Sequence, residues 1–136
     1  VCQAFIAPKS TLAFTLKQWQ QLVLILRHQQ LLACYSSTFK QTGIFEHIPK
    51  QTQRHLLNAD VLAQNHKKQV LFEAAELKRE LADKPQYLIF LKGAGYSLSG
   101  APVGDTRIYN DIDILADKKS IDAIEKRLCL IGWLSE

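Results

Sequence analysis

The sequence has no apolar run long enough to cross a membrane. Its longest uninterrupted stretches, such as LVLIL at 22 to 26, are far shorter than the roughly 20 residues that a membrane-spanning helix requires. The chain also does not open with a basic segment followed by an apolar one, so we expect no secretory signal. Three widely spaced cysteines without a Cys-x-x-Cys pair argue against a disulfide framework and favour reduced thiols. We therefore expect a cytoplasmic protein without a membrane segment.

Two familiar kinds of ligand-binding motif are missing as well. His55 and His66 are eleven residues apart, which separates them by about 16 Å along a helix, too far to bind one zinc ion. Gly93 and Gly95 begin a G-x-G-x-x-G pattern, but position 98 is leucine, and the Walker pattern fails at Ala101. We predict neither a zinc site nor a standard nucleotide-binding loop.

Composition and charge describe an ordinary folded protein. The 136 residues are 47% hydrophobic and 22% charged, with a net charge of +4, which is typical of a globular chain. Residues 1 to 60 hold six Lys or Arg and two acids, whereas residues 61 to 136 hold eleven of each. Because the basic residues of the first part are scattered singly, we interpret them as a solvated face rather than a surface for nucleic acid.

The first 84 residues have the spacing of helices. Thr15 is a candidate N-cap for a helix whose apolar residues recur at Leu16, Trp19, Val23 and Leu26. A second helix should end near Gly43, since glycine readily adopts the left-handed conformation that closes helices.

A third, long helix is predicted from Pro49 onward, because proline suits a first helical turn. Its apolar positions form one stripe, which predicts a buried face, although a break near residues 58 to 60 is an alternative. The stripe consists of Leu56, Ala59, Ala63, Val70, Ala74, Leu77 and Leu81.

The pattern changes after Pro85. The apolar run YLIFL at 87 to 91 predicts a buried strand, and the glycines after Lys92 predict a turn that opens a short helix. A second strand is predicted at 111 to 115, where alternation places Asp111 and Asp113 on one face and isoleucines on the other.

Two carboxylates this close repel each other unless a cation offsets their charge. Paired hard oxygen ligands suit Mg²⁺ that also binds phosphate oxygens and water. The alternative is that Asp111 and Asp113 are solvated edge carboxylates or turn formers beside Asn110. The aspartates by themselves do not decide between the two.

The combination of these elements is more specific. A strand ending in Leu-Lys-Gly at 91 to 93, a short helix, Arg107, the segment Asp-Ile-Asp-Ile-Leu at 111 to 115 and then an amphipathic helix together resemble the uncharacterised nucleotidyltransferase family of the polymerase-β-like superfamily. The helical first part, with a tryptophan in its first helix and Ile-Pro before the long helix, is similar to that family too.

The resemblance implies transfer of a nucleoside monophosphate from an NTP to an acceptor. In that scheme Asp111 and Asp113 hold Mg²⁺, with room for two ions, and Lys92, Gly93 and Arg107 contact the nucleotide. The acceptor stays open among a protein side chain, an RNA end and a small molecule. Two structural alternatives also stay open: Lys92 simply reaches solvent, or Arg107 forms a salt bridge with a neighbouring aspartate, Asp105 or Asp111.

The sequence departs from the superfamily pattern at two points. Ala94 follows Gly93 where many members have serine, so Ser97 or Ser99 would have to supply the hydroxyl. A third carboxylate is not evident, because Asp117 and the acids after it fit a helix start and its exposed face.

We therefore expect an α+β protein with a helical region at 1–84 and a nucleotidyltransferase-like core at 85–136 that holds the first strands of a mixed sheet. We expect this core to be truncated at its C-terminus, inactive alone and prone to self-association through an exposed sheet edge. The alternative is a non-catalytic helical interaction module joined to a nucleotidyltransferase-like remnant.

Overall fold

The structure is a computed structural model that describes residues 2–133. It contains six α-helices and two β-strands within these residues: α1 (Cys2–Ile6), α2 (Leu16–His28), α3 (Leu32–Gln41), α4 (Lys50–Glu80), β1 (Leu88–Phe90), α5 (Lys92–Leu98), β2 (Ile114–Ala116) and α6 (Ile121–Leu130). Short 3₁₀ turns at Pro8–Ala13, Phe45–His47, Pro102–Asp105 and Lys118–Ser120 connect them. The predicted α+β class with a helical first part is confirmed.

Helix α2 begins with the predicted cap. The Thr15 hydroxyl accepts a hydrogen bond from the Gln18 backbone N–H, and the Gln18 side chain accepts one from the Thr15 N–H. This reciprocal pair satisfies two donors at the helix start that have no partner inside the helix. Trp19, Val23 and Leu26 are buried as predicted, but Leu16 is 70% exposed, so the buried stripe begins one turn later than the sequence pattern indicated.

Helix α3 ends as predicted, because Gly43 follows it with a φ of +73°. Helix α4 then begins at Lys50, directly after Pro49, whose carbonyl accepts a hydrogen bond from the Gln53 N–H. The helix runs for 31 residues without the break considered near residues 58 to 60. Every residue of the predicted apolar stripe is buried, and the most exposed of them, Ala59, is 8% exposed.

Contacts between residues divide the chain into two compact units, each with its own core. The first unit is residues 1–67 with 105–108, and the second is residues 68–104 with 109–136. Helix α4 contributes residues to both units. The predicted domain division at residue 84 stays a prediction.

The first unit packs α2, α3 and the start of α4 around aromatic side chains. Phe39 is fully buried, and Trp19 and Tyr35 each meet its ring edge-on. Such edge-to-face pairs are worth about 0.5–1.5 kcal/mol beyond the burial of their area. This core is built from α-helical and 3₁₀ segments.

The second unit contains a two-stranded antiparallel sheet. Leu88, Ile89 and Phe90 lie opposite Ala116, Leu115 and Ile114. Leu88, Phe90, Ile114 and Ala116 pack on a core formed by Leu77, Leu81 and Ile124. Ile89 and Leu115, on the other face, are each 47% exposed. Self-association through this sheet stays a prediction.

The second strand differs from the sequence prediction. Instead of spanning 111 to 115, β2 begins at Ile114. Asp111 and Asp113 precede the strand, although one further hydrogen bond, from the Leu91 N–H to the Asp113 carbonyl at 2.9 Å, continues the pairing. Alternation of apolar residues located the segment but did not determine where regular pairing starts.

No helix in residues 2–133 is both long and apolar enough to cross a membrane.

Asp117, which follows β2, connects the chain after β2 to the chain before β1 at the open end of the sheet. Its carboxylate accepts hydrogen bonds from the Ser120 hydroxyl and from the Gln86 backbone N–H, both at 2.7 Å. The hydrogen bond from the Ser120 hydroxyl lowers the pKa of Asp117 below its usual 3.8, and the hydrogen bond from the Gln86 N–H has the second largest effect. Because the pKa is lower in the folded state, this carboxylate stabilises the fold above its unfolded pKa, and the contribution is lost as the pH falls through the folded value.

We therefore predict that Asp117→Asn lowers the free energy of unfolding at neutral pH, and that the difference from the parent disappears as the pH falls below about 3. Urea unfolding at several pH values measures this difference. Glu125→Gln, on the exposed face of α6, is the control. A difference between parent and Asp117→Asn that does not change with pH would contradict the assignment.

Candidate functional site

The turn after β1 is shaped by a close backbone approach. A Cβ added at Gly95 would lie 2.7 Å from the Phe90 carbonyl oxygen, so any side chain there would force the backbone to shift. Lys92, at the start of α5, has a φ of +46°, a left-handed conformation that is costly for a residue with a side chain. As predicted, the glycine-containing segment opens a short helix.

This turn brings Lys92 to Asp113. The Lys92 Nζ lies 3.1 Å from the Asp113 Oδ2, and the neighbouring Leu91 N–H donates to the Asp113 carbonyl. The Lys92 side chain is 70% exposed and that of Asp113 33% exposed. An ion pair this exposed contributes about 0–1 kcal/mol to stability, so its significance lies in where it places the two charges.

Asp111 and Asp113 flank an isoleucine that anchors the segment. Ile112 packs against buried Val70, Ala94 and Tyr109, whereas Asp111 is exposed. The predicted alternation therefore holds in this segment although it precedes the strand. The segment therefore has one carboxylate before and one after Ile112, whose side chain packs on the core.

The other two predicted site residues are placed differently. Gly93 is buried in the first turn of α5. Arg107 is exposed and lies in the segment 105–108, which packs with the first unit. Asp105, one of the salt-bridge partners considered for Arg107, is instead paired with Lys67.

Comparison with known proteins decides the family. The model of a family described as uncharacterised nucleotidyltransferase matches residues 15–136. The chain belongs to this nucleotidyltransferase family. No curated protein and no solved structure gives a significant match. The family implies an NTP substrate.

Asp111 and Asp113 are the candidate Mg²⁺ ligands of this nucleotidyltransferase family member. Asp111 and Asp113 offer hard carboxylate oxygens near the surface, where water and phosphate oxygens would complete an octahedral shell. Within residues 2–133, no group of three or more His, Cys, Asp or Glu is placed to hold a metal. The two aspartates therefore fit a metal that is bound together with the nucleotide, rather than one enclosed by protein ligands.

A buried hydroxyl chain behind α5 was not predicted from the sequence. The hydroxyls of Ser97 and Tyr109 lie 2.5 Å apart, and the Gly104 carbonyl lies 2.9 Å from the Tyr109 hydroxyl and 3.4 Å from the Ser97 hydroxyl. A Cβ added at Gly104 would meet the Ser97 backbone nitrogen at 2.9 Å. Ser97, Gly104 and Tyr109 do not recur at the spacing of a helix or a strand, so the sequence pattern does not predict that they meet.

Ser97 and Ser99 are the two serines that could replace the hydroxyl that Ala94 lacks. Ser97 is 5% exposed and its hydroxyl is bound within the chain. The Ser99 hydroxyl donates to the Tyr96 carbonyl at 3.1 Å. Both hydroxyls support the local fold, and Tyr109 holds α5 to the chain that leads into Asp111.

We predict that Tyr109→Phe lowers the free energy of unfolding by about 1–3 kcal/mol, because it leaves the buried Ser97 hydroxyl and Gly104 carbonyl without this partner. Tyr96→Phe makes the same chemical change at a residue that is 44% exposed and should cost little. Urea unfolding of both variants provides the comparison, and equal losses would show that the hydroxyl chain has no special role.

Proposed function

We propose that the intact protein carries out Mg²⁺-dependent transfer of a nucleoside monophosphate from an NTP to an acceptor, with Asp111 and Asp113 holding the metal. The observation that carries the proposal is the placement of Lys92 against Asp113 beside the exposed Asp111. A cation and two carboxylates at the end of a strand and a tight turn are the charges that a metal–triphosphate complex requires.

Bound Mg²⁺, as one ion or two, would neutralise phosphate charge and favour departure of pyrophosphate. The protein's own contribution is positioning. Asp111 and Asp113 are held on either side of Ile112, whose packing on the core fixes the spacing of their backbones. In the transfer itself, a nucleophilic group of the acceptor forms a bond to the α-phosphorus, and the bond from that phosphorus to the pyrophosphate oxygen breaks.

Lys92 has two successive roles in this scheme. Without nucleotide, its ammonium offsets the charge of Asp113 at 3.1 Å. With nucleotide, Lys92 exchanges the carboxylate for a phosphate oxygen, which frees Asp113 to act as a ligand. The exchange costs little because the exposed ion pair is weak.

Gly93 and Arg107 complete the proposed nucleotide contacts. Gly93 is buried in the first turn of α5, and in this proposal its lack of a side chain would let the turn approach the phosphates. Arg107 would supply a second cation, a role drawn from the family resemblance. The acceptor stays open among protein, RNA and small molecules.

The exposure of Asp111 is compatible with metal and nucleotide binding. A buried Asp111 paired with Arg107 would have supported the non-catalytic alternative, but both residues are exposed. We propose a cytoplasmic location, which is supported by three free cysteines.

We predict that Asp113→Asn reduces Mg²⁺-dependent NTP binding by at least about tenfold, since loss of a charged ligand costs about 1.5–3 kcal/mol. In the intact protein, transfer from labelled NTPs over a panel of acceptors should fall to background. Calorimetry with a non-hydrolysable NTP measures the binding, and Asp122→Asn on exposed α6 is the matched control. Unchanged binding by Asp113→Asn would remove this residue from the site.

Lys92→Met should change two affinities in opposite directions. Mn²⁺ alone should bind more tightly, because the competing ammonium is gone, whereas the NTP should bind about tenfold more weakly in the presence of metal. Lys126→Met, on exposed α6, should alter neither. If Lys92→Met lowers both affinities or neither, the proposed exchange of partners is wrong.

A further inference from the structure

The first unit contains a cavity that the proposed function does not use. It has a volume of about 290 Å³, close to the lower end of the range for small-molecule sites, about 300–1,000 Å³. Apolar side chains from α3, α4 and the 105–108 segment form much of its lining, and four polar side chains complete it: Arg27, Gln30, His55 and Asn58.

Arg27 is held at this cavity by a specific bond. Its guanidinium donates to the His55 Nδ1 at 3.1 Å. Because arginine only donates, the His55 Nδ1 accepts this hydrogen bond. The pair connects the last turn of α2 to α4, and His55 thereby orients Arg27 without neutralising its charge.

No carboxylate of this unit offsets Arg27. Residues 1–67 and 105–108 carry eight Lys or Arg and three acids. Each acid already has a lysine partner: Glu46 pairs with Lys50, Asp60 with Lys40, and Asp105 with Lys67. Within the described residues of the unit, Arg27 is therefore available to an anion from outside.

The left-handed backbone at Gln30 has a local structural cause. Gln30 has a φ of +57° because it closes α2: its N–H donates to the Arg27 carbonyl, and the Leu31 N–H donates to the Leu26 carbonyl. Neither the Gln30 nor the Asn58 side chain is hydrogen-bonded to another side chain or backbone group among residues 2–133, so both amides remain able to bind a ligand.

We infer that this cavity binds a small organic anion, with an apolar body inside the cavity and an anionic group on Arg27. The apolar lining supplies the contact area, and the guanidinium recognises the negative charge through charge-assisted hydrogen bonds. This inference does not depend on the proposed nucleotidyl transfer, because no residue of the Asp111 and Asp113 site lines the cavity.

The test uses two fluorescent probes with the same apolar body. 8-Anilinonaphthalene-1-sulfonate carries a negative charge, and N-phenyl-1-naphthylamine is its neutral counterpart. The parent chain should bind the sulfonate more tightly. Arg27→Met should weaken sulfonate binding by at least about tenfold while leaving the neutral probe unchanged.

Arg54→Met is the matched control, since Arg54 is an exposed arginine on α4 that does not line the cavity. Asn58→Trp places a large side chain at the cavity from an exposed position and should weaken binding of both probes. Thermal melts verify that each variant folds. Sulfonate binding that survives Arg27→Met, or that falls equally in both arginine variants, would overturn the inference.

Discussion

The pairing of β1 with β2 is the constraint on which the candidate site depends. Three residue pairs form the ladder, and one further hydrogen bond, from the Leu91 N–H to the Asp113 carbonyl, extends it past the ends of both strands. That bond fixes residue 113 beside the turn that carries Lys92. Side chains that are 21 positions apart in the sequence therefore meet.

The short sheet needs support from the rest of its unit, because an isolated two-stranded hairpin is only marginally stable. One sheet face packs on Leu77, Leu81 and Ile124, and the Asp117 carboxylate bridges Gln86 and Ser120 at the open end. The Tyr109 hydroxyl is hydrogen-bonded to Ser97 of α5 and to Gly104. These contacts fix the chain on both sides of the carboxylates and leave Asp111 itself exposed.

Features with a local cause could be predicted from the sequence. The Thr15 cap depends on residues three apart, and the buried stripe of α4 depends only on helical period. The short helix after Lys92 follows from a strand that ends at glycines. The resemblance to the nucleotidyltransferase family, carried by the Leu-Lys-Gly and Asp-Ile-Asp segments, is confirmed over residues 15–136.

Features that depend on tertiary contact were not predicted. The start of β2 at Ile114 is set by pairing with β1 rather than by alternation, which continues unchanged through Asp111. The partner of Asp105 is Lys67, which lies on another element, rather than the nearby Arg107. Ser97, Gly104 and Tyr109 have no common spacing, so their hydrogen bonds emerge only from the folded arrangement.

The central claim is that Asp111, Asp113 and the turn at Lys92 form one site for a metal–nucleotide complex. Nuclear magnetic resonance of the ¹⁵N-labelled chain tests it directly, because Mn²⁺ broadens the signals of amides close to it. With a non-hydrolysable NTP present, small amounts of Mn²⁺ should broaden the amides of residues 91–93 and 111–113 together. Broadening confined to the exposed acids of α6, or at 111–113 without 91–93, would contradict a shared site.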